Sequence, residues 1–211
     1  MSDRDGIVPG ETKLLMEAKR FSALIDSFYA ASTQPDRWQE AAMQMARFLD
    51  SESAVIQVRT GGISTMALRA TTANYDHAAQ QAYVSHFYKR DPAVNGWHAI
   101  GRPGIFVGRE LVDYAALQNS EFYVDHLRRI GVFYPLCAIQ RLDADTTLMS
   151  GIHRPVQSKD FEPEDRRRLG LAAPHLLRAA WRCAPAVGCC GSCFVGSLNR
   201  PSHGCSCGAV Q

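Results

Sequence analysis

Cysteine is almost absent from most of this chain. Cys137 is the only cysteine in the first 182 residues, and the other six lie from Cys183 onward. A disulfide framework needs pairs of cysteines, so this distribution excludes one for the larger part of the chain. Cys137 lies in a strand-like segment, and we expect it to be a small buried hydrophobic side chain and not a nucleophile.

Long apolar runs and an excess of one charge are also missing. No run approaches the ~20 apolar residues that span a bilayer, and the 23 basic residues nearly balance the 21 acidic ones. The net charge of +2 therefore gives no general attraction for nucleic acid. Residues 1–12 are polar and lack the apolar segment of a secretory signal. We expect a cytoplasmic protein that is not attached to a membrane.

The motifs of common enzyme classes do not occur either. The sequence has no G-x-S-x-G, G-x-x-x-x-G-K-[ST] or H-E-x-x-H pattern, and no G-x-G-x-x-G after a predicted strand. The spacing of His86, His126 and His153 is not typical of a metal site, so these residues are expected in the core or on the surface. His153 alternates with Ile152, which directs it to a pocket or to solvent. We therefore predict a protein without catalytic activity or cofactor.

Hydrophobic residues make up 46% of the chain, which is enough for one sizeable core. Apolar residues that recur every three or four positions predict five helices. They are a helix around residues 21–28, a helix opened by Pro35, and helices over residues 76–89, 120–131 and 162–181. Pro174 lies inside the last helix and is expected to kink it.

Alternating segments between these helices predict strands. Residues 54–59 and 64–70 are joined across Gly61-Gly62, and residues 132–140 pair with residues 146–153, so two hairpins are expected. A short strand is predicted over residues 105–107. Because hairpins dominate, the predicted fold class is α+β, with a mostly antiparallel sheet flanked by helices.

Several short strings occur in a definite order along the chain. They are Asp36-Arg37-Trp38, Tyr83-x-x-His86-Phe87 with Asp91-Pro92, Ser120-Glu121-Phe122-Tyr123 followed by Asp125, Leu127 and Gly131, His153-Arg154-Pro155, Phe161, and Pro174-His175-Leu176. Together they resemble the N-terminal sensory region of LuxR-type helix-turn-helix transcriptional regulators, over most of the chain. The resemblance implies a GAF/PAS-like fold, a small-molecule ligand and a homodimer.

The same resemblance suggests where a ligand would bind. Aromatic side chains bracket the expected hollow between sheet and helices, and a ligand site is predicted at Tyr83, Phe87, Asp91, Trp97, Phe122 and Tyr134. In acyl-homoserine-lactone receptors of the LuxR type, an Asp followed by Pro contacts the ligand amide, and Asp91-Pro92 resembles that pair. Two alternatives stay open. The aromatic rings could simply fill the core, and Asp91 could simply end the preceding helix in a turn.

The sequence divides into three segments. Residues 1–12 are expected to be a flexible N-terminus, residues 13–182 the sensory domain, and residues 183–211 an unstructured tail rich in Cys, Gly and Ser. No amphipathic basic helix follows Trp181, so we expect a chain truncated before the DNA-binding half of such regulators, and no DNA binding by this chain alone. The alternative is a tail in which Cys190, Cys193, Cys205 and Cys207 bind zinc or sense redox state.

Overall fold

One antiparallel sheet forms the centre of the computed structural model, which describes residues 9–60 and 65–183. Every neighbouring pair of strands runs antiparallel. The strands are β1 (Ser53–Thr60), β2 (Thr65–Thr71), β3 (Gly104–Val107), β4 (Tyr134–Arg141) and β5 (Thr146–Arg154). Across the sheet they lie in the order β2–β1–β5–β4–β3. Both predicted hairpins are present, as β1–β2 and β4–β5, and the Gly61-Gly62 connection lies outside the described residues. The predicted α+β fold class is confirmed.

Alternation along the strands gives the sheet two different faces. In the register of β1 and β5, Ile56 lies opposite Ser150 and Val55 lies opposite Gly151. Ile56 belongs to the larger hydrophobic core, whereas Val55 and Gln57 line a cavity on the other face. A layer of helices covers each face.

The core face is covered by the longest helices, α1 (Pro9–Thr33), α2 (Trp38–Phe48) and α7 (Pro163–Cys183). The predicted apolar stripes are buried here, since Leu24, Phe28, Met45 and Leu49 are fully inaccessible to solvent. Helix α1 begins at Pro9, inside the segment expected to be a flexible N-terminus. Helix α7 continues through Pro174 to Cys183. Among the described residues, none of the helices has both the length and the apolar character required for crossing a membrane.

The other face is covered by short helical elements. They are α3 (His77–Ser85), a 3₁₀ turn (Phe87–Lys89), α4 (Pro92–Ile100), α5 (Gly108–Leu111), α6 (Tyr114–Gln118) and a π-helical turn (Phe122–Leu127). The predicted helix over residues 120–131 is therefore wound partly as a π-turn. The hydroxyl of Ser120 accepts a hydrogen bond from the Tyr123 amide at 3.1 Å, and Gly131 follows with a φ of 73°.

Helix α4 was not predicted, because Pro92 and Gly96 interrupt the apolar pattern. The side chain of Asp91 caps it, and its Oδ1 accepts hydrogen bonds from the amides of Ala93 at 3.0 Å and Val94 at 3.3 Å. Pro92 occupies the first turn, where a missing amide hydrogen costs nothing. Gly101, with a φ of 71°, ends the helix in the left-handed conformation. Asp91 thus begins a helix and does more than end the preceding one.

Gly96 lies where α4 packs against α5, and a Cβ atom at this position would overlap the backbone carbonyl of Leu111. We expect Gly96→Ala to lower the free energy of unfolding by about 1–3 kcal/mol, the usual cost of overpacking, although alanine normally favours a helix. The matched control is Gly170→Ala in α7, where the new Cβ would lie 3.5 Å from Ile105 Cδ1. That variant should be as stable as the parent or up to about 1 kcal/mol more stable. Urea unfolding of both variants measures the difference, and equal effects would contradict the tight contact.

Candidate functional site

A cavity lies between the sheet and the layer of short helices. The space inside it that the centre of a water molecule can reach is about 90 Å³. Its apolar wall consists of Val55, Ala79, Pro92, Ala93, Val94, Val112, Leu117, Phe122, Leu127, Phe133, Pro135, Cys137, Ile139 and Met149. Burial raises the pKa of the Cys137 thiol to about 12, so this thiol is neutral. A mostly apolar cavity with a few placed polar groups is the usual form of a small-molecule site.

Polar side chains interrupt this wall at a few places. The polar residues of the wall are Gln57, Thr71, Tyr75, Gln80, Tyr83, Asp91, His126, Ser150 and His153. Ser150 differs from the others because it opposes Ile56 in the register, which places its side chain on the core face of the sheet.

A buried hydrogen-bond network centres on the hydroxyl of Tyr83. This hydroxyl donates to Asp91 Oδ2 at 2.7 Å and accepts from Arg59 Nη2, also at 2.7 Å. Arg59 is fully inaccessible to solvent. Burial, followed by the charge of Asp91, raises the pKa of Tyr83 well above its ordinary value. The neutral hydroxyl therefore connects β1, α3 and the start of α4 at one edge of the cavity.

His126 reaches the cavity from the π-helical turn. Its imidazole stacks on the rings of Tyr83 and Phe87, with centroids 5.6 Å and 5.0 Å away. Burial lowers the pKa of His126, and the negative charge of Asp91 opposes that effect. The uncharged imidazole is therefore part of the aromatic wall.

His153 lies on the cavity face of β5, so the expectation that it faces a pocket or solvent is met by the pocket. Its Nδ1 is 2.9 Å from the hydroxyl of Tyr75. Gly151 leaves room for the imidazole, since a Cβ at Gly151 would lie 2.9 Å from His153 Cε1. Burial lowers the pKa of His153 from 6.5 to about 4, and the nearby His126 adds a smaller effect in the same direction.

The lowered pKa of His153 predicts a loss of stability in mild acid. Between pH 6.5 and about pH 4 the unfolded chain binds the proton more readily than the folded protein, so stability is full above pH 6.5 and falls as the pH is lowered. The loss amounts to at most about 3 kcal/mol. We expect His153→Gln, which cannot titrate, to lose correspondingly less stability between pH 7 and pH 4 in denaturant unfolding. Parallel pH profiles for the two proteins would contradict this assignment.

Half of the predicted ligand site lies in the cavity wall. Tyr83, Asp91 and Phe122 line the cavity. Phe87 lies behind them, with its ring centroid 5.7 Å from that of Phe122. Among the described residues, neither Phe87, Trp97 nor Tyr134 is part of the wall.

Trp97 and Tyr134 belong to other clusters. Trp97 donates its Nε1 hydrogen to the carbonyl of Arg102 at 2.8 Å and packs in a cluster with Phe106 and Leu111. Tyr134 packs edge-on against Tyr114, at a centroid distance of 5.3 Å. Both rings therefore pack against other side chains and not against the cavity.

The strands contribute residues to the wall that were not predicted from the sequence. Gln57, Met149 and Tyr75 lie on or next to strands whose alternation was recognised, but the face directed at the cavity was not assigned. One signal in the sequence is the polar Gln57, which lies between Ile56 and Val58 in β1. Within the described part of the chain, no group of three or more His, Cys, Asp or Glu could hold a metal ion. The zinc alternative at Cys190, Cys193, Cys205 and Cys207 lies outside the described residues.

The α+β fold is similar to that of solved domains from LuxR-type regulators. The structure is similar to the VqsR LBD domain from Pseudomonas aeruginosa, with 17% identity, 77% of this chain and 94% of that chain covered, and a TM-score of 0.62. It is also similar to CepR2 from Burkholderia cenocepacia, an N-acylhomoserine lactone dependent LuxR family transcription factor. The identity is 16%, the match covers 82% of this chain and 99% of that chain, and the TM-score is 0.59.

Escherichia coli SdiA is a third similar structure, with 14% identity, 78% of this chain and 69% of that chain covered, and a TM-score of 0.55. SdiA is also known in complex with octanoyl-rac-glycerol. No protein family matches the sequence, and no curated protein is similar to it in sequence. The fold that the resemblance implied is confirmed by these structures.

Proposed function

We propose that this chain is a ligand-sensing regulatory domain of the LuxR type, which acts by binding and not by catalysis. The observation that carries the proposal is the mostly apolar cavity, closed by a network of Tyr83, Asp91 and Arg59 at one edge. The similar folds of CepR2 and SdiA support it, since one is described as dependent on an N-acylhomoserine lactone and the other is known with an octanoyl glycerol. We infer a ligand with an acyl chain and a small polar head.

The ligand would act by stabilising one state of the domain. A molecule that binds the folded cavity, and not the unfolded chain, raises the population of the folded form. If it binds one arrangement of the short helices better than another, it also shifts that equilibrium. We propose that the domain forms a homodimer and that ligand binding changes the dimerisation equilibrium. Sedimentation velocity with and without ligand measures this change.

Thermal unfolding tests the function. N-octanoyl homoserine lactone and octanoyl glycerol, each at about 100 times its Kd, should raise the Tm by about 5–10 °C, since such saturation adds about 2.7 kcal/mol. Homoserine lactone and glycerol without the acyl chain should not change the Tm. If none of a series of acyl compounds raises the Tm, the proposed function is wrong.

A matched pair of variants places the effect in the cavity. Ala79 lines the cavity, whereas its neighbour Ala78 is exposed on the same helix. Ala79→Trp should abolish the rise in Tm because the larger ring occupies the space of the ligand. Ala78→Trp should keep the rise. An equal response from the two variants would place the binding elsewhere.

A further inference from the structure

We propose that Gln57 selects the ligand by accepting a hydrogen bond from an N–H or O–H group of its polar head. This inference rests on the proposed function and adds the residue that recognises the polar head of the ligand. It predicts that the ligand carries at least one hydrogen-bond donor next to its apolar body.

Gln57 has an unpaired acceptor in the cavity wall. The residue lies at the middle of β1, on the cavity face, and is 6% exposed. Its Oε1 is buried and has no hydrogen-bond partner. A buried carbonyl oxygen without a partner destabilises the free protein, and a donor from a ligand would remove that cost.

The hydroxyl of Tyr83 indicates which end of the Gln57 amide is turned toward it. The Gln57 side chain lowers the pKa of Tyr83, against the larger effect of burial, which is the effect of a hydrogen-bond donor. That hydroxyl already donates its only hydrogen to Asp91 Oδ2. The group of Gln57 that faces Tyr83 must therefore be the donating Nε2, and Oε1 is the atom left for a ligand.

Several other polar groups of the wall have hydrogen-bond partners. The two carboxylate oxygens of Asp91 accept from Tyr83 and from the first amides of α4. The hydroxyl of Tyr75 pairs with Nδ1 of His153. Among the wall residues of the described chain, Ser150 also has a buried hydroxyl without a partner, but its position opposite Ile56 places it on the core face. Gln57 Oε1 is thus a buried, unpaired acceptor of a residue on the cavity face of the sheet.

A site of this kind discriminates between ligands that differ by one donor. An acyl amide satisfies Gln57 Oε1, whereas the corresponding ester leaves it buried and unpaired. Because the amide removes the cost of the unpaired oxygen, whereas the ester leaves that cost as it is in the free protein, the amide binds more tightly. We expect a preference of about tenfold or more for the donor-bearing compound.

The experiment compares two probes on three proteins. The probes are N-octanoyl homoserine lactone and the ester in which oxygen replaces its amide N–H, titrated by calorimetry. The proteins are wild type, Gln57→Met and Gln140→Met. Gln140 is the matched control because its Oε1 is also buried and unpaired, while it lies opposite Leu148 on the core face of the sheet.

Wild type and Gln140→Met should both prefer the amide by about tenfold or more, and Gln57→Met should bind the two probes equally. Comparing the amide-to-ester affinity ratio of wild type with that of Gln57→Met cancels general differences between an amide and an ester, as in a double-mutant cycle. Gln57→Leu is a second variant with the same expected result, and the thermal unfolding of both should occur no lower than that of wild type.

Two results would overturn the inference alone. They are equal binding of amide and ester by wild type, and a preference that survives in Gln57→Met and Gln57→Leu. If wild type binds neither these probes nor any other acyl compound, the proposed function fails together with the inference.

Discussion

Replacing Trp97 with alanine is expected to lower the free energy of unfolding by about 3–5 kcal/mol, the usual cost of removing a buried tryptophan. The indole is 6% exposed, packs in the cluster with Phe106 and Leu111, and donates a hydrogen bond to the carbonyl of Arg102. Because Trp97 is not part of the cavity wall, the variant should respond to acyl compounds as wild type does. Urea unfolding and thermal shift measure the two effects.

The matched control for this experiment is Trp181→Ala. Trp181 is 54% exposed on α7, and its removal should change stability by no more than about 0.5 kcal/mol. If Trp97→Ala remained stable but lost its response to ligand, the result would contradict the placement of Trp97 outside the cavity wall. It would favour the prediction from the sequence that Trp97 belongs to the ligand site.

Replacing Tyr83 with phenylalanine is expected to lower the free energy of unfolding by about 3–5 kcal/mol, although the ring is kept. The change removes two hydrogen bonds to ionised groups, and each is worth about 1.5–3 kcal/mol. It leaves the guanidinium of Arg59 buried without the Tyr83 hydroxyl, its partner at 2.7 Å. Chemical unfolding at pH 7 measures the loss.

Tyr29→Phe is the control with the same chemistry. The hydroxyl of Tyr29 makes a hydrogen bond to Nδ1 of His175 at 3.1 Å, in a partly buried position, so its loss should cost about 1 kcal/mol. If Tyr83→Phe and Tyr29→Phe lower the free energy of unfolding by the same small amount, the Tyr83 network does not stabilise the fold in the way the distances indicate.

The sequence predicted the core face of the molecule better than the cavity face. Residues such as Leu24, Phe28 and Met45 repeat at helical spacing and bury one side of a long helix, so their pattern depends on little besides the chain itself. The hairpins were predicted for a similar reason, because alternation and turn residues are local signals.

The short helices of the cavity layer are a different case. Helix α4 has nine residues and contains Gly96, so its apolar period is too brief to stand out. The signals at its ends were nevertheless present, with Asp91-Pro92 at the start and Gly101 after the last residue. An interpretation of Asp91-Pro92 as a helix start would have placed Trp97 on a helix and not after a turn.

The cavity wall was predicted only in part, because aromatic residue types alone do not decide which ring faces a cavity. Tyr83 and Phe122 line the cavity, while Phe87 and Tyr134 pack behind other rings. The role proposed for Gln57 could not be predicted from the sequence, because it depends on the strand register and on the direction of the Tyr83 hydroxyl. These are properties of the assembled sheet and helices.

The two helical layers also differ in length, and this gives the domain an uneven resistance to local opening. Helices α1 and α7 have 25 and 21 residues, whereas α3 and α4 have nine each, and α5 and α6 have four and five. Short elements with few internal hydrogen bonds open at low free energy, and long packed helices open only with the whole domain. Amide hydrogen exchange should therefore be fast in the short helical elements between residues 77 and 127, and slow in α1 and α7. A ligand in the cavity would slow exchange in the first region and leave the second almost unchanged.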